Sequence, residues 1–212
     1  MTAGAALRAA FVATYRNSPR LVALNAMLVG MAVGLAVATA FAWPVAVLGL
    51  ALGPFAAAVA HCAVVLRRTD DLRFADFGEG LRLHWRRGLV LGAATAAVFG
   101  FGALAVHFYA SHGTWPLAAI VAYVLAGAAV FELALWPLAV AEPERPLPDT
   151  LRAAAVALLV RPRATAAFAA AILLVNVLGV AAAFVPLLTL TVAYSLVAAA
   201  YFVVPPDPSQ EA

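Results

Sequence analysis

The chain has 212 residues, 66% of them hydrophobic and 11% charged, with a mean hydropathy of +1.01 and a net charge of +3. A water-soluble domain carries about 45–50% apolar and about 25% charged residues, so this composition excludes an ordinary soluble globule. The basic residues are thirteen arginines with no lysine; either lipid phosphate favours the planar guanidinium, or the coding text is biased. The single cysteine, Cys62, excludes an internal disulfide.

A bilayer core about 30 Å thick requires about 20 apolar residues of helix. Residues 21–41 form the first uncharged run, and residues 44–66 follow after a turn of two. Residues 89–109 make a third and residues 116–141 a fourth, the last holding one charge, Glu132. Residues 164–204 are uncharged throughout, too long for one crossing and suited to two. Pro186 divides them, because proline fits the first turn of a helix and not its interior. The expected fold is therefore all-α and polytopic, with six transmembrane helices arranged as three hairpins.

Arginine placement predicts orientation. Arg8, Arg16 and Arg20 precede the first span, six arginines lie between the second and third, and four between the fourth and fifth. The other connections carry no charge. Basic loops stay in the cytoplasm, so the expected location is the plasma membrane, multi-pass, with both termini inside.

A repeat emerges from two sets of markers. Prolines 44, 116 and 186 each follow an outer turn, and Leu7-Arg8, Leu81-Arg82 and Leu151-Arg152 recur with nearly the same period, close to 71 residues. Fixed-period self-similarity signals repeated structural units. Each unit would be a short cytoplasmic amphipathic helix followed by a hairpin. The stripes are Leu7, Phe11 and Tyr15; Phe77, Leu81 and Trp85; and Leu151, Ala155 and Leu159. Asp76 with Glu79 resembles a capping box, and Asp149 is placed to cap the third helix and pair with Arg152. Such helices can lie in the interface with arginines toward anionic lipid headgroups, which makes Arg8, Arg82 and Arg152 expected interfacial contacts. Units with an even number of spans share one orientation, so a pseudo-threefold axis along the membrane normal is expected. The single transmembrane domain covers residues 1–204, with units 5–66, 74–141 and 149–204, and residues 205–212 read as a disordered tail.

Ionisable groups at membrane depth are expensive and point to function. Glu132 falls about 14 Å from the end of its span at 1.5 Å per residue, and His61 lies one repeat period away. An acid–imidazole pair between them is expected, as a structural clasp or a proton site. Asn25 and Asn176 read as interhelical hydrogen-bond partners, and Gly30, Gly34, Gly49 and Gly53 as a close contact between the first two spans. Pro54 is expected to kink the second span. No metal-ligand spacing, nucleophile elbow or phosphate-binding glycine loop is present, so no enzyme activity and no cofactor are expected.

Several short motifs, "LNAML" around Asn25, "GPFAAA" from Gly53-Pro54, "FADFGEGLRLHWRRG" with Asp76-Phe77, and "WPLAV" from Trp136-Pro137, resemble the YesL family of small bacterial membrane proteins. Family members commonly carry Thr two positions before the Gly-Pro, where this chain has Ala51. The resemblance implies a plasma-membrane protein associated with carbohydrate ABC importers and carries over no catalytic residue. The expected function is a non-enzymatic accessory component of a membrane assembly, with ABC transporter subunits as partners. The alternative is a small transporter or channel with Glu132 as its buried polar site; no nucleic-acid partner is expected.

Overall fold

In the computed structural model, residues 2–41, 49–181 and 190–205 are described, and those residues form helices and turns with no strand. The helices are α1 (Ala3–Arg16), α2 (Ser18–Phe41), α3 (Leu52–Thr69), α4 (Phe74–Ser111), α5 (Trp115–Ala141), α6 (Leu147–Leu159), α7 (Pro162–Ala181) and α8 (Val192–Val203). Five are long and apolar enough to cross a bilayer: α2, α3 with its leading turn from Gly49, α4, α5 and α7. The apolar α8 has 12 residues. The expected turns at Trp43-Pro44 and Val185-Pro186, and most of the expected tail, lie outside the described residues.

Local chemistry explains where helices stop. Pro19 and Pro162 stand at the starts of α2 and α7, where a missing N–H is harmless, and they separate α1 and α6 from the spans that follow. Between Phe74 and Ser111 there is no proline. Glycine is the weakest helix former there, at about 1 kcal/mol relative to alanine, and that does not outweigh continued hydrogen bonding. The second amphipathic segment is therefore not the separate helix expected from its stripe. It is the first third of α4, one continuous helix of 38 residues. After it, Gly113 takes φ of 75° in the turn to α5, and Pro116 occupies the first turn of α5 as expected.

The inner layer is α3, α5 and α8, which pack mutually, while α2, α4 and α7 lie outside them. Small side chains permit this. Ala58, Ala60, Ala139, Ala198 and Ala200 are all fully buried, and without a hydrophobic driving force between helices in lipid, close van der Waals contact has to supply the association. Burial concentrates toward one end of the bundle, whereas Phe101 of α4 and Leu173 and Leu178 of α7 on the outer helices, and Ile120 near the start of α5, are exposed. Apolar residues all round a helix suit a hydrocarbon surrounding.

The tightest crossing joins α3 to α4. A Cβ on Gly53 would stand 2.2 Å from the Gly88 carbonyl oxygen, and one on Gly92 would stand 2.5 Å from Gly53 Cα. The expected contact with the first span is not made by its glycines: Gly30 and Gly34 face open space, and Gly49 meets the Leu35 side chain. Pro54, expected as a mid-span kink, is the third residue of α3 and interrupts nothing.

The short helices also turn differently from expectation. In α1 the alanine face (Ala3, Ala6, Ala10, Ala13) is buried against α7 and α8, while Phe11 and Tyr15 are exposed. In α6, Thr150 and Ala154 are buried, and Leu151 and Leu159 point outward. Small faces dock on protein, and the larger apolar faces are left uncovered.

Candidate functional site

Polar side chains gather where the arginine-bearing segments converge. Asp70 caps α3 in the left-handed conformation, φ of 55°, which Asp tolerates better than most residues. Its carboxylate accepts from the Tyr201 hydroxyl at 3.0 Å, and its carbonyl accepts from Asn17 Nδ2 at 3.4 Å. One residue on, Arg20 donates to Asp71 Oδ1 at 2.8 Å and also to the Leu72 carbonyl. That hydrogen bond holds the exposed Asp71 carboxyl below its ordinary value. The α1–α2 junction, the α3–α4 turn and the end of α8 are thus tied at one point.

A second set of bonds fastens the α5–α6 junction to the same end. Arg87 donates to the Pro143 carbonyl and to the buried Thr150 hydroxyl, each at 2.6 Å, and Arg68 donates to the Ala141 carbonyl at 3.3 Å. Thr150 passes its own hydrogen to the Pro146 carbonyl at 3.1 Å. Arg82 and Arg152 remain exposed, and Arg8 lines a groove beside α1. Asp149 lies in the first turn of α6 behind an N-cap of Pro146, and makes no ion pair with Arg152. The cap of α4 is shifted too: Asp76 accepts from the Arg73 N–H at 2.7 Å, so Asp76 closes the cap and Glu79 has no part in it. Phe77 packs on Phe55, with ring centroids 5.8 Å apart.

His61 and Glu132 do not meet. His61 Nδ1 is 3.2 Å from His84 Nε2, and the two rings are 5.1 Å apart between α3 and α4. Gly80 makes the room, since a Cβ there would lie 2.8 Å from His61 Cβ. One ring nitrogen of such a pair donates and the other accepts, so at least the accepting imidazole is neutral. Glu132 lies instead beside Thr95 of α4 and Trp136 of its own helix. Neither satisfies it fully: Glu132 Oε2 and Thr95 Oγ1 are both buried without a hydrogen-bond partner of good geometry. Trp136 and Pro137 are buried in the inner layer, and Pro137 sits inside α5.

Nothing matches this chain among protein-family models, curated proteins or solved structures.

The asparagines do join helices. Asn25, fully buried, accepts from the Ala193 N–H at 2.7 Å, where α8 begins. Asn176 donates to Ser195 Oγ at 2.9 Å, and Ser195 donates on to the Thr191 carbonyl at 2.7 Å. No group of three or more His, Cys, Asp or Glu is placed to hold a metal among the described residues.

His84, Asp70 and Arg87 were not singled out from the sequence. The signal for His84 was available: His61 and His84 stand at nearly equal distances on either side of the Asp70–Arg73 turn. Antiparallel helices therefore bring them level. Asp70 and Arg87 had no such signal, because their partners Tyr201 and Thr150 are distant in the chain.

Proposed function

We propose that this chain is a non-enzymatic accessory component of a membrane assembly, on the YesL-like pattern of a protein serving a carbohydrate ABC importer. In this reading six helices cross the plasma membrane as three hairpins around a pseudo-threefold axis. Both termini and all the arginines face the cytoplasm. The fused α4 means that only α1 and α6 act as separate interfacial helices. The motifs around Asn25, Gly53-Pro54, Asp76-Phe77 and Trp136-Pro137 support the family pattern. The mutual packing of α3, α5 and α8, the second helices of the three hairpins, supports the axis.

One observation carries the choice of function. At the arginine-bearing end the centre between α3, α5 and α8 is filled by buried alanines, and the polar, hydrogen-bonded surface lies at that same end. A filled centre gives an ion or solute no path, whereas a rigid basic surface can dock a partner. The test is cross-linking in native membranes followed by co-purification and mass spectrometry. Recovery of importer subunits is the expected result, and recovery of this chain alone would refute the reading.

The unpartnered Glu132 Oε2 and Thr95 Oγ1 favour a second reading, a transporter with Glu132 as its polar site. Their position between α4 and α5 is off the centre. Proteoliposomes should show no proton or solute flux that Glu132→Gln abolishes; such a flux would promote this alternative.

A further inference from the structure

The groove beside α1 has a chemistry of its own. It encloses about 670 Å³ between α1, the end of α3 and the end of α8, within the roughly 300–1,000 Å³ typical of small-molecule sites. Arg8, Arg16 and Arg67 all line it. Among the described residues none of the three is in an ion pair. The one acid in the lining, Asp70, is already engaged by the Tyr201 hydroxyl at 3.0 Å. Arg67 lies over the Tyr201 ring at 4.8 Å, which fixes its guanidinium, and its Nε is buried without a hydrogen-bond partner. The floor is open at Gly4, where an added Cβ would touch nothing.

We propose that this groove binds a phosphate-bearing ligand, held by Arg8, Arg16 and Arg67. A guanidinium offers five N–H donors in a fork that matches phosphate oxygens two at a time, and three of them carry more positive charge than the single paired carboxylate offsets. A neutral ligand would leave those donors unmet, and a cation would be repelled. Phe11 and Tyr15, exposed on the same helix, suit headgroup depth, so the phosphate can belong to a lipid headgroup or to a soluble compound. The site goes beyond the diffuse attraction that any surface arginine has for an anionic membrane, and it holds or fails independently of the accessory role.

The experiment uses the full-length protein in nanodiscs. In one arm radiolabelled pyrophosphate is titrated into phosphatidylcholine discs; in the other, native mass spectrometry counts phosphatidic acid retained from mixed discs. Wild type should bind one equivalent saturably in at least one arm. Binding of phosphatidic acid alone identifies a lipid headgroup as the source, and binding of pyrophosphate identifies a soluble phosphate. The exposed pair Arg8→Gln/Arg16→Gln should weaken binding about tenfold or more, whereas Arg82→Gln/Arg152→Gln, with the same loss of charge, should weaken it less than about twofold. Ala5→Phe, which fills the groove from an exposed position and alters no charge, should weaken it like the first pair. Absence of saturable binding in both arms, or equal weakening by the two arginine pairs, would overturn the proposal.

Discussion

Gly53 is the most informative single position in the fold. In an open stretch of helix, Gly→Ala is favourable by about 0.8–1 kcal/mol. At Gly53 the added methyl would lie 2.2 Å from the Gly88 carbonyl oxygen, against 3.4 Å for an ordinary contact. The obstacle is backbone, so no rotamer change relieves it, and α3 and α4 must separate by about 1 Å. Overpacking of this kind costs about 1–3 kcal/mol and sometimes more. The separation would also loosen the Gly92 contact and lengthen the His61–His84 bond. Set against the propensity gain, the expected net change for Gly53→Ala is therefore a destabilisation of up to about 2 kcal/mol. Gly30→Ala and Gly34→Ala, whose methyls meet nothing within 4 Å, should be neutral or stabilising. Reversible unfolding in mixed detergent micelles, followed by circular dichroism, compares the three. If Gly53→Ala unfolds no earlier than Gly30→Ala, the α3–α4 crossing is wrong.

Asn25→Ala leaves the buried Ala193 N–H without its acceptor and should cost about 1–3 kcal/mol. Asn176→Ala should cost nearer the roughly 0.6 kcal/mol average for hydrogen bonds between membrane helices; the same unfolding assay ranks them, and the reverse order would count against the assigned roles. The Arg20–Asp71 bond predicts a pH dependence. Asp71 is held below its ordinary value of 3.8, so its contribution is fully present above that pH and is lost as pH falls through the lower value in the folded protein. Arg20→Gln should therefore lower the unfolding midpoint at pH 6 and make progressively less difference as the solution is acidified below pH 4. An effect of Arg20→Gln that stays constant down to the acid limit would exclude the coupling.

Hydropathy is a sum along the chain and helix formation is a local event, so the all-α class, the approximate extents of α2, α5 and α7 and the start of α5 at Trp115-Pro116 were legible from residue order alone, whereas the fusion of the second amphipathic segment into α4 was not. The role of Asn25 and Asn176 as links between helices was legible too, since an amide in an apolar run has few other satisfactory environments. The choice of partner was not legible. Gly53 could have met the first span as well as α4, and His61 was one repeat period from Glu132 yet pairs with His84. The face of α1 that docks is its alanine face, not its aromatic one, because close backbone approach matters more than apolar area once the surroundings are themselves apolar. Which contacts form depends on how helices rotate about their axes, where a shift of one residue turns a side chain by about 100°. Only packing in three dimensions, with Gly88 and Gly92 opening a slot for Gly53 and Arg87 reaching Thr150 across the chain, decides that rotation.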